Sequence, residues 1–199
     1  MEPAARRERL ARARLVFVVD AGCPRELVAG ALAGGVDVVQ LRDPAATPGA
    51  AGVVADLCNE HRALFVVAGR TDLPADGVHF ESDRRPAAAG LLVGVSVQTA
   101  EEAAAADTHY LFVGPVWPTP TKPGHPGIGL EALRQAAGKA RVPVFAVGGV
   151  HAGNAAEAVA ARAQGVAVIR AIRDAPDPAA AASELRQAVT SAAGPTMPA

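Results

Sequence analysis

A chain of 199 residues, half of them hydrophobic, is long enough to bury one full core and too short for two ordinary catalytic domains. Its formal net charge of -1, single Trp and single Tyr exclude the basic, aromatic-bearing surface that nucleic acid demands. No apolar run approaches the ~20 residues that span a membrane, so no membrane partner is expected.

From the N-terminus, Met1 to Arg14 carries several arginines but no following apolar block with a small-residue cleavage site. It does not read as a secretory signal, and a cytoplasmic protein is expected. Short apolar runs then recur at Leu15–Val19, Val36–Leu41, Leu64–Val67, Gly77–Phe80, Leu91–Val95, Tyr110–Val113, Pro143–Val147 and Val166–Ile169, separated by stretches of helical character. Strands that are apolar on both faces and alternate with helices need parallel crossovers, which favours a closed barrel or a doubly wound sheet. Eight such units fit an α/β protein of the (β/α)₈ type, one TIM-barrel domain over residues 1–199 with its core at about 15–192.

The helix boundaries carry their own signals. Thr47-Pro48 and Asp177-Pro178 each supply an N-cap followed by proline at the first helical position. Thr99 with Glu102 predicts a capping box, and Asn154 with Glu157 resembles another, its helix closing at Gly165. The stretches from Arg70 to Asp76 and from Ser82 to Gly90 leave hardly a helical turn, so the third and fourth helices are expected to be shortened. The tail 193–199, with two prolines, is expected to be disordered. Cys23 and Cys58 lack metal or redox spacing and read as one loop thiol and one buried helix residue.

Barrels of this kind keep their functional groups at the C-terminal ends of the strands. The second run ends Gln40-Leu41-Arg42-Asp43, and side-chain alternation sends Gln40 and Arg42 to the same side, toward the barrel mouth. Arg42 there suits an anion or pairs with a neighbouring carboxylate. After the sixth run, residues 114–127 are too long and proline-rich for a simple turn, and the prolines stiffen a loop that presents Thr119, Thr121 and Lys122. It reads as an anion-binding loop, against the alternative of a solvated surface loop. The seventh and eighth runs end in Gly148-Gly149 and Ile169-Arg170, where such barrels commonly hold phosphate on backbone N–H groups. Of the five histidines, His61, His109 and His151 read as structural, while His79 and His125 stand within reach of a ligand.

Together with Gly94-Val95-Ser96, Gly114-Pro115-Val116-Trp117-Pro118-Thr119-Pro120-Thr121-Lys122-Pro123-Gly124, Gly148-Gly149 and Ile169-Arg170-Ala171-Ile172, the Gln40–Asp43 segment resembles the thiamine phosphate synthase family, particularly its actinobacterial members. The resemblance runs from about Leu15 to the last helix. It implies a transferase that joins hydroxymethylpyrimidine diphosphate to thiazole phosphate with help from Mg²⁺, commonly as a homodimer. By position, Gln40, Arg42, Ser96 and Lys122 would hold the pyrimidine diphosphate, with Arg42, Ser96 and Lys122 catalytic. Thr119, Thr121, Gly149 and the backbone at Ile169 and Arg170 would hold the thiazole phosphate.

Three positions depart from the family pattern. Pro44 replaces a lysine, and the two metal carboxylates fall at Gly69 and Arg84, with Asp83 one residue away. Mg²⁺ needs hard oxygen ligands, so an impaired magnesium site and weakened synthase activity are expected. Arg70 or Arg84 would then be left to neutralise the diphosphate directly. The Gly69-Arg70 pair is similar to the thiazole tautomerases of the same superfamily, some of which carry histidine where this chain has Pro115. A tautomerase-like isomerase and a non-catalytic phosphate-binding paralogue are the alternatives.

Overall fold

The computed structural model describes residues 1–81, 88 and 90–193. Asp83, Arg84 and the tail beyond residue 193 lie outside the described residues, and the expectations placed on them are not addressed by the fold.

In chain order the elements are α1 (Pro3–Arg12), β1 (Leu15–Val19), α2 (Arg25–Ala33), β2 (Val38–Leu41), α3 (Pro48–Glu60), β3 (Leu64–Ala68), β4 (Gly77–Phe80), β5 (Leu92–Val97), α4 (Ala100–Ala105), β6 (Tyr110–Val113), α5 (Gly129–Lys139), β7 (Val144–Val147), α6 (Ala152–Ala160), β8 (Gly165–Val168), α7 (Arg170–Arg173) and α8 (Pro178–Ala192). The strands pair in sequence order, all parallel, and β8 returns to β1 to close the barrel. Closure leaves no free sheet edge, which is why every strand is short and nearly all buried.

Alternation along each strand divides the core in two. Val16, Val18, Val38, Leu64, Val66, Leu92, Tyr110, Phe112 and Phe145 fill the barrel, whereas Leu15, Phe17, Val39, Leu41 and Phe65 pack outward against the helices. Much of the helical side of that outer layer is alanine: Ala31, Ala51, Ala136, Ala155, Ala158 and Ala182 are fully buried, which lets the helices lie close to the strands. α1 is not legible as a helix in the sequence. It closes the N-terminal mouth by placing Leu10 among the barrel-filling residues, and the Gln164 amide donates to the carbonyls of Leu10 and Ala13.

The proline-led caps form as the sequence predicts. Thr47 Oγ1 accepts from the Ala50 amide, Asp177 accepts from Ala179 and Ala180, and Thr99 and Glu102 complete a capping box. One expected cap is corrected. α6 starts from His151, whose Nδ1 accepts from the Gly153 amide, and Asn154 is its third helical residue rather than its cap. That helix ends at Ala160, and Gly165 already belongs to β8, where a Cβ would meet the Arg14 carbonyl oxygen at 2.2 Å. The third crossover, residues 69–76, is shorter still than expected and holds no helix. A bidentate pair between Arg70 and Asp72 organises it instead, at 3.0 and 2.7 Å. Cys23 and Cys58 are free, on the loop before α2 and inside α3, and burial raises their thiols to about 11 and about 12.

Candidate functional site

At the C-terminal ends of the strands opens a cleft of about 770 Å³, a size that suits small organic ligands. Gln40, Arg42, Ser96, Thr119, Thr121, Lys122, Gly149, Ile169 and Arg170 all line it. They come from the ends of β2, β5, β6, β7 and β8, five strands far apart in sequence that closure of the barrel brings to one mouth.

The floor is polar where a barrel interior is normally apolar. Gln40, His79 and Asn154 are the buried polar side chains among the described residues, and all three face this cleft. Asn154 is structural: it accepts from the His151 amide at 2.9 Å and donates to the Gly149 carbonyl at 3.1 Å, fixing the turn after β7. His79 bridges Ser96 Oγ at 2.9 Å and the Tyr110 hydroxyl at 3.3 Å. Desolvation, with the Arg42 charge adding to it, pushes its pKa down to about 3, so the ring is neutral. Gln40, 2% exposed, makes no side-chain hydrogen bond to the described residues. Among those residues no side-chain polar atom sealed from solvent lacks a partner, so the Gln40 amide opens to the cleft.

The rim carries the charge. Arg42, Lys122 and Arg170 stand against two carboxylates, Glu81 and Glu102. Glu102 is occupied in its capping box, accepting from the amides of Gln98 at 2.6 Å and Thr99 at 3.2 Å. Glu81 pairs with Arg42 at 2.6 Å across an exposed gap. Of the two sequence readings of Arg42, the carboxylate partner is present, and the side chain also lines the cleft. Asp43 is tied into the loops, accepting from the amides of Ala45 and Ala21. Arg70, expected as a direct anion ligand, is instead drawn to Asp72 and the Ala46 carbonyl, and it is not among the lining residues.

The loop of residues 114–128 is held as a wall. Its Val116 and Trp117 amides donate to the carbonyls of Val147 and Gly148, and the amides of Ile128 and Gly129 return to Pro115 and Val116. Gly148 and Gly149 have positive φ of 90° and 70°. A Cβ on Gly148 would lie 2.4 Å from that of Pro115, and one on Gly149 would lie 2.6 Å from that of Trp117. The glycine pair is thus required by close packing of this wall against β7, besides lining the cleft. Three features escape sequence reasoning: Glu81 as partner of Arg42, Tyr110 as partner of His79, and Phe112 on the cleft floor. The alternation of β4, which turns His79 inward with Gly77, is the available signal for the histidine.

Comparison with known proteins bears on this site. A family model described as thiamine monophosphate synthase matches residues 15–172. The thiamine-phosphate synthase of Thermobifida fusca is 42% identical over 211 residues, covering 94% of this chain and 97% of that protein. That of Mycobacterium tuberculosis is 38% identical over 218 residues, covering 92% and 98%. Among solved structures, a thiamine phosphate pyrophosphorylase from Pyrococcus furiosus superposes with a TM-score of 0.84 at 32% identity, covering 94% of this chain and all of that one. Orotidine 5'-phosphate decarboxylase from Pyrococcus horikoshii, with a TM-score of 0.65 at 16% identity, shares the fold.

Proposed function

The chain belongs to the thiamine monophosphate synthase family, and on that premise we propose that it joins hydroxymethylpyrimidine diphosphate to thiazole phosphate in the cleft at the strand ends. The observation that carries this reading is the buried amide of Gln40, open to the cleft beside Arg42. That amide both donates and accepts, so a ligand that displaces water from it must present an acceptor and a donor in return, as an aminopyrimidine does.

In this reading Gln40, Arg42, Ser96 and Lys122 hold the pyrimidine diphosphate. Thr119, Thr121 and the backbone at Gly149, Ile169 and Arg170 hold the thiazole phosphate. The bond between the pyrimidine methylene carbon and diphosphate oxygen breaks, and its electron pair leaves with the diphosphate. The lone pair of the thiazole nitrogen forms the new carbon–nitrogen bond. Negative charge grows on the departing oxygens, where charge-assisted hydrogen bonds from Arg42 and Lys122 are worth ~1.5–3 kcal/mol each. Because the attacking nitrogen carries no proton to lose, the step needs no protein base, and the neutral His79 is not asked to supply one.

Magnesium belongs to this family's chemistry, but the described residues do not suit it. Mg²⁺ is usually held by one or two carboxylates together with substrate phosphate oxygens, and the carboxylates among the described lining residues are Glu81 and Glu102. Glu81 pairs with Arg42 across an exposed gap, Glu102 accepts within its helix cap and Asp43 accepts within its loop. Gly69 supplies no carboxylate, and although a Cβ there would meet nothing within 4 Å, its φ of 69° is one that side chains rarely adopt. Among the described residues the cations Arg42 and Lys122 are then the groups that carry the diphosphate charge, and slow turnover is expected. The test is formation of thiamine phosphate from the two substrates. Turnover by the unmodified protein that falls at least about tenfold in Arg42→Ala supports the reading. Equal turnover by that variant, or no binding of either substrate, would refute it.

A further inference from the structure

In the cleft floor lies a hydrogen-bonded chain of which the reaction above uses only Ser96. In the barrel register His79 of β4 stands opposite Gly94 of β5, and Gly94 opposite Tyr110 of β6. A Cβ on Gly94 would fall 2.1–2.5 Å from carbons of the Tyr110 ring. The glycine therefore clears the space into which the phenol reaches, and its hydroxyl meets His79 Nδ1 at 3.3 Å across the middle strand. On the far side of the imidazole, Nε2 lies 2.9 Å from the hydroxyl of Ser96, two residues further along β5 on the same face as Gly94. Phe112 packs on the imidazole with centroids 4.2 Å apart, and His79 and Tyr110 are each only 3% exposed.

Counting protons gives this chain a direction. The imidazole is neutral, so one ring nitrogen donates and the other accepts. For the Tyr110 hydroxyl, His79 is the hydrogen-bond partner among the described residues. A buried hydroxyl proton without an acceptor is costly, so the phenol donates to Nδ1. Nε2 then carries the ring proton and donates to Ser96 Oγ. With that oxygen's inner side taken by a donor, the Ser96 proton turns outward into the cleft. The opposite tautomer would strand the phenol proton and turn the Ser96 proton inward, leaving only lone pairs for a ligand.

We propose that Tyr110 and His79 are positioning residues that fix Ser96 as a hydrogen-bond donor, so that the ligand atom bound there is an acceptor, an oxygen of the diphosphate. This rests on the reading of Ser96 as a ligand of the pyrimidine diphosphate. Three buried residues then act together, since Gly94 makes the gap, Tyr110 sets the tautomer and His79 turns the serine.

Two measurements test it. Nitrogen NMR of the ¹⁵N-histidine-labelled wild-type protein, with the His79 ring assigned through its contact with Phe112, should show the Nε2–H tautomer alone; the Nδ1–H form would overturn the relay whatever the substrate. In steady-state kinetics, Tyr110→Phe should raise KM for the pyrimidine diphosphate about tenfold more than it lowers kcat, and Ser96→Ala should do at least as much. Because Tyr110 acts through Ser96, the double variant should be no worse than Ser96→Ala. Multiplying effects would mean that Tyr110 matters only for packing and would overturn the proposal. An unchanged KM in Ser96→Ala would instead overturn the assignment of Ser96 to that substrate, with the tautomer standing. The NMR measurement needs no variant, so a misfolded Tyr110→Phe leaves it decisive.

Discussion

Replacing Glu81 with Gln separates the two roles of Arg42. The pair is close, at 2.6 Å, but its side chains are 44% and 72% exposed, and exposed pairs contribute only ~0.2–1 kcal/mol to folding. Glu81→Gln should therefore shift the unfolding free energy by less than about 1 kcal/mol. The effect on an anion should be larger in consequence and opposite in sign. A carboxylate lining an anion cleft repels bound diphosphate by about 1 kcal/mol at ~4 Å in a high-dielectric setting, and its removal also releases the guanidinium. Diphosphate affinity should rise about fivefold at low salt, and the gain should shrink at high salt as screening grows. Calorimetric titration of wild-type and variant protein with inorganic diphosphate at two salt concentrations measures both. Weaker or unchanged binding in Glu81→Gln would refute the placement of the diphosphate at Arg42.

Thr121→Ala and Lys122→Ala should each weaken substrate binding by ~1.5–3 kcal/mol in calorimetry, while the thermal midpoint stays put because both side chains are exposed on the loop. Gly149→Ala should destabilise the fold by roughly 2–5 kcal/mol, combining left-handed strain with overpacking against the Trp117 Cβ and, at 2.8 Å, the Pro118 carbonyl; an unchanged urea midpoint would contradict this. His79 makes stability pH-dependent. Its folded pKa of about 3 lies below the ordinary histidine value of 6.5, so between these the unfolded chain binds the extra proton. The contribution is fully present above about pH 6.5 and is lost toward pH 3, at about 1.4 kcal/mol per pH unit. His79→Gln should flatten that part of the pH–stability curve, and an unaltered slope would mean that other groups carry it.

The eight strands are legible because each is a short run apolar on both faces, and a closed parallel barrel requires that pattern of all eight. Helix starts are legible where Pro and a side-chain cap coincide, at Thr47 and Asp177. The start of α6 is not, because Asn154 has the residue type of a cap while the imidazole of His151 does the capping. Eight of the nine candidate site residues can be read from strand ends and from the proline-rich loop, since the barrel sends every such end to one mouth, whereas Ser96 enters only through the family resemblance. What stays hidden is every relation across strands. The Arg42–Glu81 pair spans 39 residues and the His79–Tyr110 contact 31, and both depend on register, which no local pattern encodes. Arg70 shows the converse: a cation in the right loop is drawn away by a carboxylate two residues later.

Whether this cleft joins the two phosphorylated heterocycles by means of its own cations is decided by the rate of thiamine phosphate formation with the unmodified protein, first in the presence of a chelator and then across a range of Mg²⁺ concentrations. Slow product formation with the chelator present, and little increase as Mg²⁺ is added, is the expected result. Product that appears only with Mg²⁺ and rises to a robust, saturable rate, or no product under any condition, would mean that the cations do not carry the reaction.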